Sequence, residues 1–292
     1  MTPLTLRRGG LSFSALVEGE GPTILCLHGF PDHARSFRFQ LPAFARAGFR
    51  GIAATMRGYE PSSQPRDGDY RIVRMAEDVA AWIEYLDLDR VHLVGHDWGA
   101  IVGYYVAAMW PERLRSLTTL AIAHPRRLAR EIVMRLPSQL AKSWYIFFFQ
   151  MRGVAEVAIA RRDWAFVERL WRDWSPGWQL PLGELEAIKA TFRQPGVLGA
   201  ALGYYRSMFD LRSRSAREAQ ARMARPIEVP TLALTGALDG CMDTRLHDSA
   251  MRNVDFAGGL RVVRIEQAGH FLHQEKPDEV NRVLLDWLGA LP

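Results

Sequence analysis

The sequence predicts a doubly wound α/β domain interrupted by an all-helical insertion. Three observations predict it. Apolar strand-like runs alternate with amphipathic helical runs up to about residue 123. Strand signals then stop after His124-Pro125, and the stretch from Arg126 to Met223 is helical in pattern and rich in Trp, Phe and Arg. Strand character returns at Val229-Pro230-Thr231. We therefore expect a core of residues 1–124 and 227–292, with residues 125–226 as a helical cap over the C-terminal strand ends, where open α/β sheets build their sites.

Each element has a local reason. Leu4–Leu6 and Leu11–Val17 read as early strands, followed by the unbroken apolar run Thr23–Leu27. A helix is expected from Ser36 to Ala47, a strand over Gly51–Ala54, and a second helix from Val73 to Leu86, which spaces Met75, Val79, Trp82 and Ile83 along one face. Val91–Gly95 reads as a buried strand, Trp98–Trp110 as a helix and Leu117–Ile122 as the last strand before the insertion. Within the insertion Trp164, Val167, Trp171 and Trp174 recur at helical spacing, which suits packing within the cap better than contact with a substrate. Thr231–Leu234 and Leu260–Ile265 complete the strand pattern.

Chemistry enters at residues 94–100, Val-Gly-His-Asp-Trp-Gly-Ala. The frame is that of the Gly-x-Ser-x-Gly elbow, a sharp strand-to-helix turn that lifts one side chain above the sheet, with Asp97 in the nucleophile's place. A carboxylate nucleophile attacks carbon directly and leaves an ester that must then be hydrolysed. The loop His28-Gly29-Phe30-Pro31-Asp32 follows a strand and can aim a backbone N–H at a developing oxyanion, so the N–H groups of Phe30 and Trp98 are the expected pair. His270, in Gln267-Ala268-Gly269-His270-Phe271, follows the last strand and is the candidate base. Asp239, after the strand Thr231–Leu234, is the candidate acid that orients the imidazole. Asp243 is its rival, though it reads better as the N-cap of the next helix. His28 is expected to fix its loop, His96 to pack or bond locally, and His273 to be structural or exposed.

Across nearly its full length the chain resembles the epoxide hydrolases of the α/β-hydrolase fold. The resemblance rests on His28-Gly29-Phe30-Pro31, Met56-Arg57-Gly58-Tyr59, Gly95-His96-Asp97-Trp98-Gly99, and Ala268-Gly269-His270-Phe271 through Glu275-Lys276-Pro277. Glu60 departs from the glycine common at that place in the family. The resemblance implies an alkyl-enzyme mechanism on Asp97, a chemistry shared with haloalkane dehalogenases. Epoxide opening creates an alkoxide, which needs a hydrogen-bond or proton donor. Trp144-Tyr145-Ile146-Phe147-Phe148-Phe149-Gln150 and Leu202-Gly203-Tyr204-Tyr205-Arg206 resemble the cap segments that carry the family's two polarising tyrosines. By position these are Tyr145 and Tyr205, with Tyr204 one residue away as an alternative. Phe30, Trp98 and Phe271 flank these positions and are candidates for an apolar wall.

Two other readings stay open: a haloalkane or haloacid dehalogenase using the same nucleophile, and a non-catalytic ligand-binding protein of this fold. Composition narrows the rest. Net charge is +5, but the arginines are scattered among acids and lysine occurs only at 142, 189 and 276, so no nucleic-acid partner is expected. Roughly 18 consecutive apolar residues would mark a membrane span, and none occurs. The N-terminal segment lacks a signal peptide's apolar core, and Cys26 and Cys241 suggest no disulfide framework, so a cytoplasmic enzyme with free thiols is expected. No metal or organic-cofactor motif is present, so the expected partners are a small apolar epoxide and water.

Overall fold

The computed structural model describes residues 1–135, 138–208, 210 and 212–291. The expected helical stretch from Arg126 to Met223 thus includes four residues (136, 137, 209 and 211) outside the described set. Strands β1 (Thr2–Arg8) and β2 (Leu11–Glu18) are joined by Gly9-Gly10, both with positive φ, as a two-residue hairpin turn demands. Then follow β3 (Thr23–Leu27), α1 (Gln40–Arg46), β4 (Arg50–Ala54), α2 (Ile72–Tyr85), β5 (Val91–His96), α3 (Trp98–Met109) and β6 (Leu114–Leu120).

The region between β6 and β7 holds α4 (Pro125–Arg135), α5 (Ser138–Lys142), α6 (Trp144–Phe148), α7 (Val154–Trp174), α8 (Leu182–Arg193), α9 (Val197–Ser207) and α10 (Arg214–Met223). The sheet resumes with β7 (Thr231–Gly236), then α11 (Arg245–Ala250), β8 (Leu260–Ile265), α12 (Leu272–Glu275) and α13 (Pro277–Gly289). Among the described residues no helix is long and apolar enough to cross a membrane.

Among the described residues eight strands form one sheet in the order β1-β2-β4-β3-β5-β6-β7-β8. The pairs β1–β2 and β2–β4 are antiparallel and all others parallel. Strands β3, β5 and β7 are buried at every residue, as parallel strands covered on both faces must be. One face packs Phe13, Trp82, Leu93 and Leu117 into the larger core; the other packs Leu41, Phe44, Val280 and Leu284. Strand order reverses between β3 and β5, so their C-terminal ends frame the crevice in which α/β sheets place ligands.

Three features depart from the sequence reading by more than a residue or two at an end. The helix expected over Ser36–Ala47 is split into a 3₁₀ turn, Ala34–Phe37, and α1 from Gln40. Pro42 is the reason: it fits a first turn, whereas in a longer helix its ring would clash with the carbonyl of Arg38. Strand β6 starts at Leu114 and ends at Leu120, because Ala121 turns to φ 70° and stops the ladder. Finally, α7 is broken where Arg162, Asp163 and Trp164 take left-handed backbone angles, so the tryptophan series does not run along one straight helix.

Candidate active site

Asp97 sits between β5 and α3 at φ 50° and ψ −117°. A non-glycine residue at such angles costs on the order of 1–3 kcal/mol and persists only where its surroundings enforce it. They do so through close approach: a Cβ on Gly95 would overlap the Gly99 carbonyl, and one on Gly99 the Leu27 carbonyl. The carboxylate of Asp97 is buried, and its Oδ1 accepts the backbone N–H of Phe30 at 2.8 Å. Trp98 opens α3, so its N–H is one of the first four that a helix leaves unpaired, at the positive end of the dipole.

Nε2 of His270 lies 3.6 Å from the other Asp97 oxygen, Oδ2, and Nδ1 lies 2.9 Å from Oδ2 of Asp239. Oδ1 of Asp239 accepts the N–H groups of Cys241 and Met242, each at 2.8 Å, which fixes the carboxylate's orientation. The imidazole is fully buried. Burial alone would lower its pKa, but the charges and hydrogen bonds of Asp239 and then Asp97 overcome it and push it up to about 10. Asp243 is engaged elsewhere, bound by the Arg245 guanidinium and accepting the Arg245 N–H at 3.1 Å, while Thr244 is the N-cap of α11.

The hydroxyl of Tyr145 is 3.4 Å from Sγ of Cys241, and its ring meets that of Tyr205 with centroids 5.8 Å apart. Tyr205 also packs edge-on against Phe30 at 5.4 Å and Trp98 at 5.0 Å. Burial raises both phenols well above their usual range, so both carry their protons. Tyr204 points its hydroxyl elsewhere and donates to the carbonyl of Arg57 at 2.5 Å.

The supporting loops are tied by polar contacts. His28 accepts the Met56 N–H at Nε2, joining the loop after β3 to the one after β4. Arg57 forks onto both oxygens of Asp78, at 2.6 Å each. Glu60 accepts the N–H of Ser14 at 2.6 Å and thereby anchors its loop to β2. Glu275 accepts from Ser175 and from the Gly269 N–H, closing the histidine loop on itself.

Three contributors escape sequence reasoning. The carbonyl of Trp174 accepts both the Gly240 and the His270 N–H at 3.0 Å, so the end of α7 joins the loops bearing Asp239 and His270. The spacing of Trp174 suits packing within the cap, whereas its ring lies 5.1 Å from the His270 imidazole. Cys241 had no motif around it. His96 bonds the carbonyl of His270 at 3.0 Å, a long-range contact where a local one was expected, and His273 is wholly buried. Phe271 lies against His270 with ring centroids 5.3 Å apart, and it also meets Trp171 and Trp174.

The family model for the alpha/beta hydrolase fold matches residues 22–277. Epoxide hydrolase 4 of Homo sapiens is 30% identical over 97% of this chain and 77% of its own length. Epoxide hydrolase 2 of Caenorhabditis elegans is 33% identical over 90% of this chain and 72% of its own. Among solved structures, an epoxide hydrolase from an endophytic Streptomyces superposes with a TM-score of 0.81 at 28% identity, covering 99% of this chain and 95% of that one. With the sheet order and the elbow, the fold is that of an α/β-hydrolase. Within that fold the chain belongs to the epoxide hydrolase family.

Proposed function

We propose that this enzyme opens apolar epoxides to vicinal diols in two half-reactions, with residues 125–226 acting as a cap over the site. In the first, Oδ2 of Asp97 attacks a ring carbon, the C–O bond breaks, and the departing oxygen takes a proton from Tyr145 or Tyr205. Both phenols are protonated and buried, so they act as donors in a setting where hydrogen bonds to a developing alkoxide are strong. Phe30 and Trp98 form the apolar wall, and Phe271 backs the imidazole.

In the second half-reaction a water loses its proton to His270 and adds to the carboxyl carbon of the ester. The Phe30 N–H, already on Oδ1, and the Trp98 N–H stabilise the oxyanion. Collapse breaks the bond between the carboxyl carbon and the alkyl-bearing oxygen, that oxygen leaves on the diol and recovers a proton from His270, and the new Asp97 carboxyl releases its remaining proton. The tyrosine proton is restored from solvent. Esterification removes the charge of Asp97, one of the two that raise the His270 pKa, so the imidazole is held less strongly in its protonated form and is freed to take a proton as its task arrives.

The observation that carries this reading is the chain Asp97–His270–Asp239 with Tyr145 and Tyr205 gathered beside it. A dehalogenase would have no use for two protonated phenols at that place. The test is a single turnover in ¹⁸O water with enzyme in excess over an aryl epoxide. Label should enter the Asp97 carboxylate and stay out of the first diol; label in the first diol would mean direct attack by water.

A further inference from the structure

Behind the histidine loop lies a second polar cluster that the mechanism does not use. One oxygen of Asp32 and one nitrogen each from His96 and His273 lie within 4.8 Å of one another, and all three residues are buried. They come from the loop after β3, the end of β5 and α12, which converge only in the fold. Both ring nitrogens of His273 and Nδ1 of His96 have no hydrogen-bond partner among the described residues. Leaving such groups unpaired is costly, on the order of 1–3 kcal/mol each.

We propose that Asp32, His96 and His273 bind a divalent ion of the zinc class, with water completing a four-coordinate shell. Two imidazoles and one carboxylate form a donor set suited to zinc. Burial holds both imidazoles below their usual range, His96 at about 3, so their lone pairs are available at neutral pH; it also raises the Asp32 carboxyl well above its usual range, so an ion binding there would displace the Asp32 proton. The outer contacts have the form that metal ligands take. His96 spends Nε2 on the His270 carbonyl, which leaves Nδ1 as the lone-pair nitrogen. Oδ1 of Asp32 accepts the His33 N–H at 2.8 Å, and Oδ2 accepts the Gln274 amide at 2.9 Å. Arg38, the nearby cation, donates to Gln274 and not to Asp32, so the carboxylate has no direct cationic partner among the described residues. Bonds of roughly 2.0–2.1 Å require the three donors to close inward by about an ångström. The ion would then brace the His270 carbonyl through His96, a structural clamp behind the imidazole.

The test uses the full chain stripped with a chelator and desalted, then loaded with zinc chloride. We expect one zinc per chain after desalting, and a Tm rise of roughly 5 °C at a hundredfold excess over Kd. Both effects should vanish in His273→Ala and Asp32→Asn but persist in His270→Gln. That variant matters because Asp239, Cys241 and His270 form a second cluster of possible ligands. Cobalt supplies a readout on the unsubstituted chain should a variant fail to fold: visible d–d bands are expected without thiolate charge transfer. No bound equivalent, retention in both His273→Ala and Asp32→Asn, loss in His270→Gln, or a cobalt–thiolate band would each overturn the proposal.

Discussion

Trp174 and His270 are joined twice, by a 3.0 Å hydrogen bond from the His270 N–H to the Trp174 carbonyl and by an edge-on ring contact at 5.1 Å. The C-terminal end of α7, in the helical region between β6 and β7, therefore holds the His270 loop through both backbone and ring. Trp174→Phe keeps the carbonyl and much of the ring, and turnover should fall less than tenfold. Trp174→Ala opens a cavity that costs about 3–5 kcal/mol and should lower turnover further. Denaturant unfolding beside epoxide turnover checks this; an alanine variant with unchanged stability and rate would show that the contact is idle.

The acid assignment separates cleanly from its neighbour. Asp239→Asn should lower turnover by roughly 10⁴, since the amide favours the wrong imidazole tautomer. Asp243→Asn should keep turnover and lose only about 1 kcal/mol of local stability from its contacts with Arg245. Steady-state rates for the two variants decide between them.

Under the proposed mechanism the adjacent Tyr204 and Tyr205 have different work. Tyr205→Phe and Tyr145→Phe should each slow alkylation by about 10²–10⁴, the usual range for a positioned proton donor. Tyr204→Phe loses the bond to the Arg57 carbonyl and should cost about 1 kcal/mol in stability while alkylation continues. Rapid-quench measurement of ester formation reads the first effect without interference from hydrolysis.

How stability varies with pH follows from His270. Its folded pKa, about 10, exceeds the ordinary 6.5, because the charges of Asp239 and Asp97 outweigh burial. The stabilisation is therefore complete below about pH 6.5 and is lost as pH rises toward 10. The Tm advantage of the unsubstituted chain over His270→Gln should be larger at pH 6 than at pH 10. An advantage that grows with pH would contradict the ion-pair account.

Much of the geometry of this candidate site was legible in the chain, because the elbow, the loop after β3 and the histidine loop are local motifs, each attached to a strand end. Gly95 and Gly99 announce the turn around Asp97, and Gly29 admits the carboxylate where a Cβ would overlap it. What sequence could not supply is long-range. Trp174 acts through its backbone carbonyl, which no side-chain pattern reports. His96, His273 and Asp32 meet only because strand order brings their loops together. Tyr204 and Tyr205 differ by one step around α9, about 100°, and both rings meet Trp98, so only the packed helix distinguishes the one facing Phe30 from the one whose hydroxyl bonds Arg57.

The most direct test of the central claim, covalent epoxide opening on Asp97 assisted by two tyrosines, is the intact mass of a trapped enzyme. His270→Gln should still form the ester yet fail to hydrolyse it, because only the second half-reaction needs the base. Exposure to an epoxide should add the whole substrate mass to Asp97, and adding Tyr145→Phe with Tyr205→Phe should abolish that adduct. An adduct formed only from a haloalkane, with the halide lost and no dependence on the tyrosines, would contradict the account.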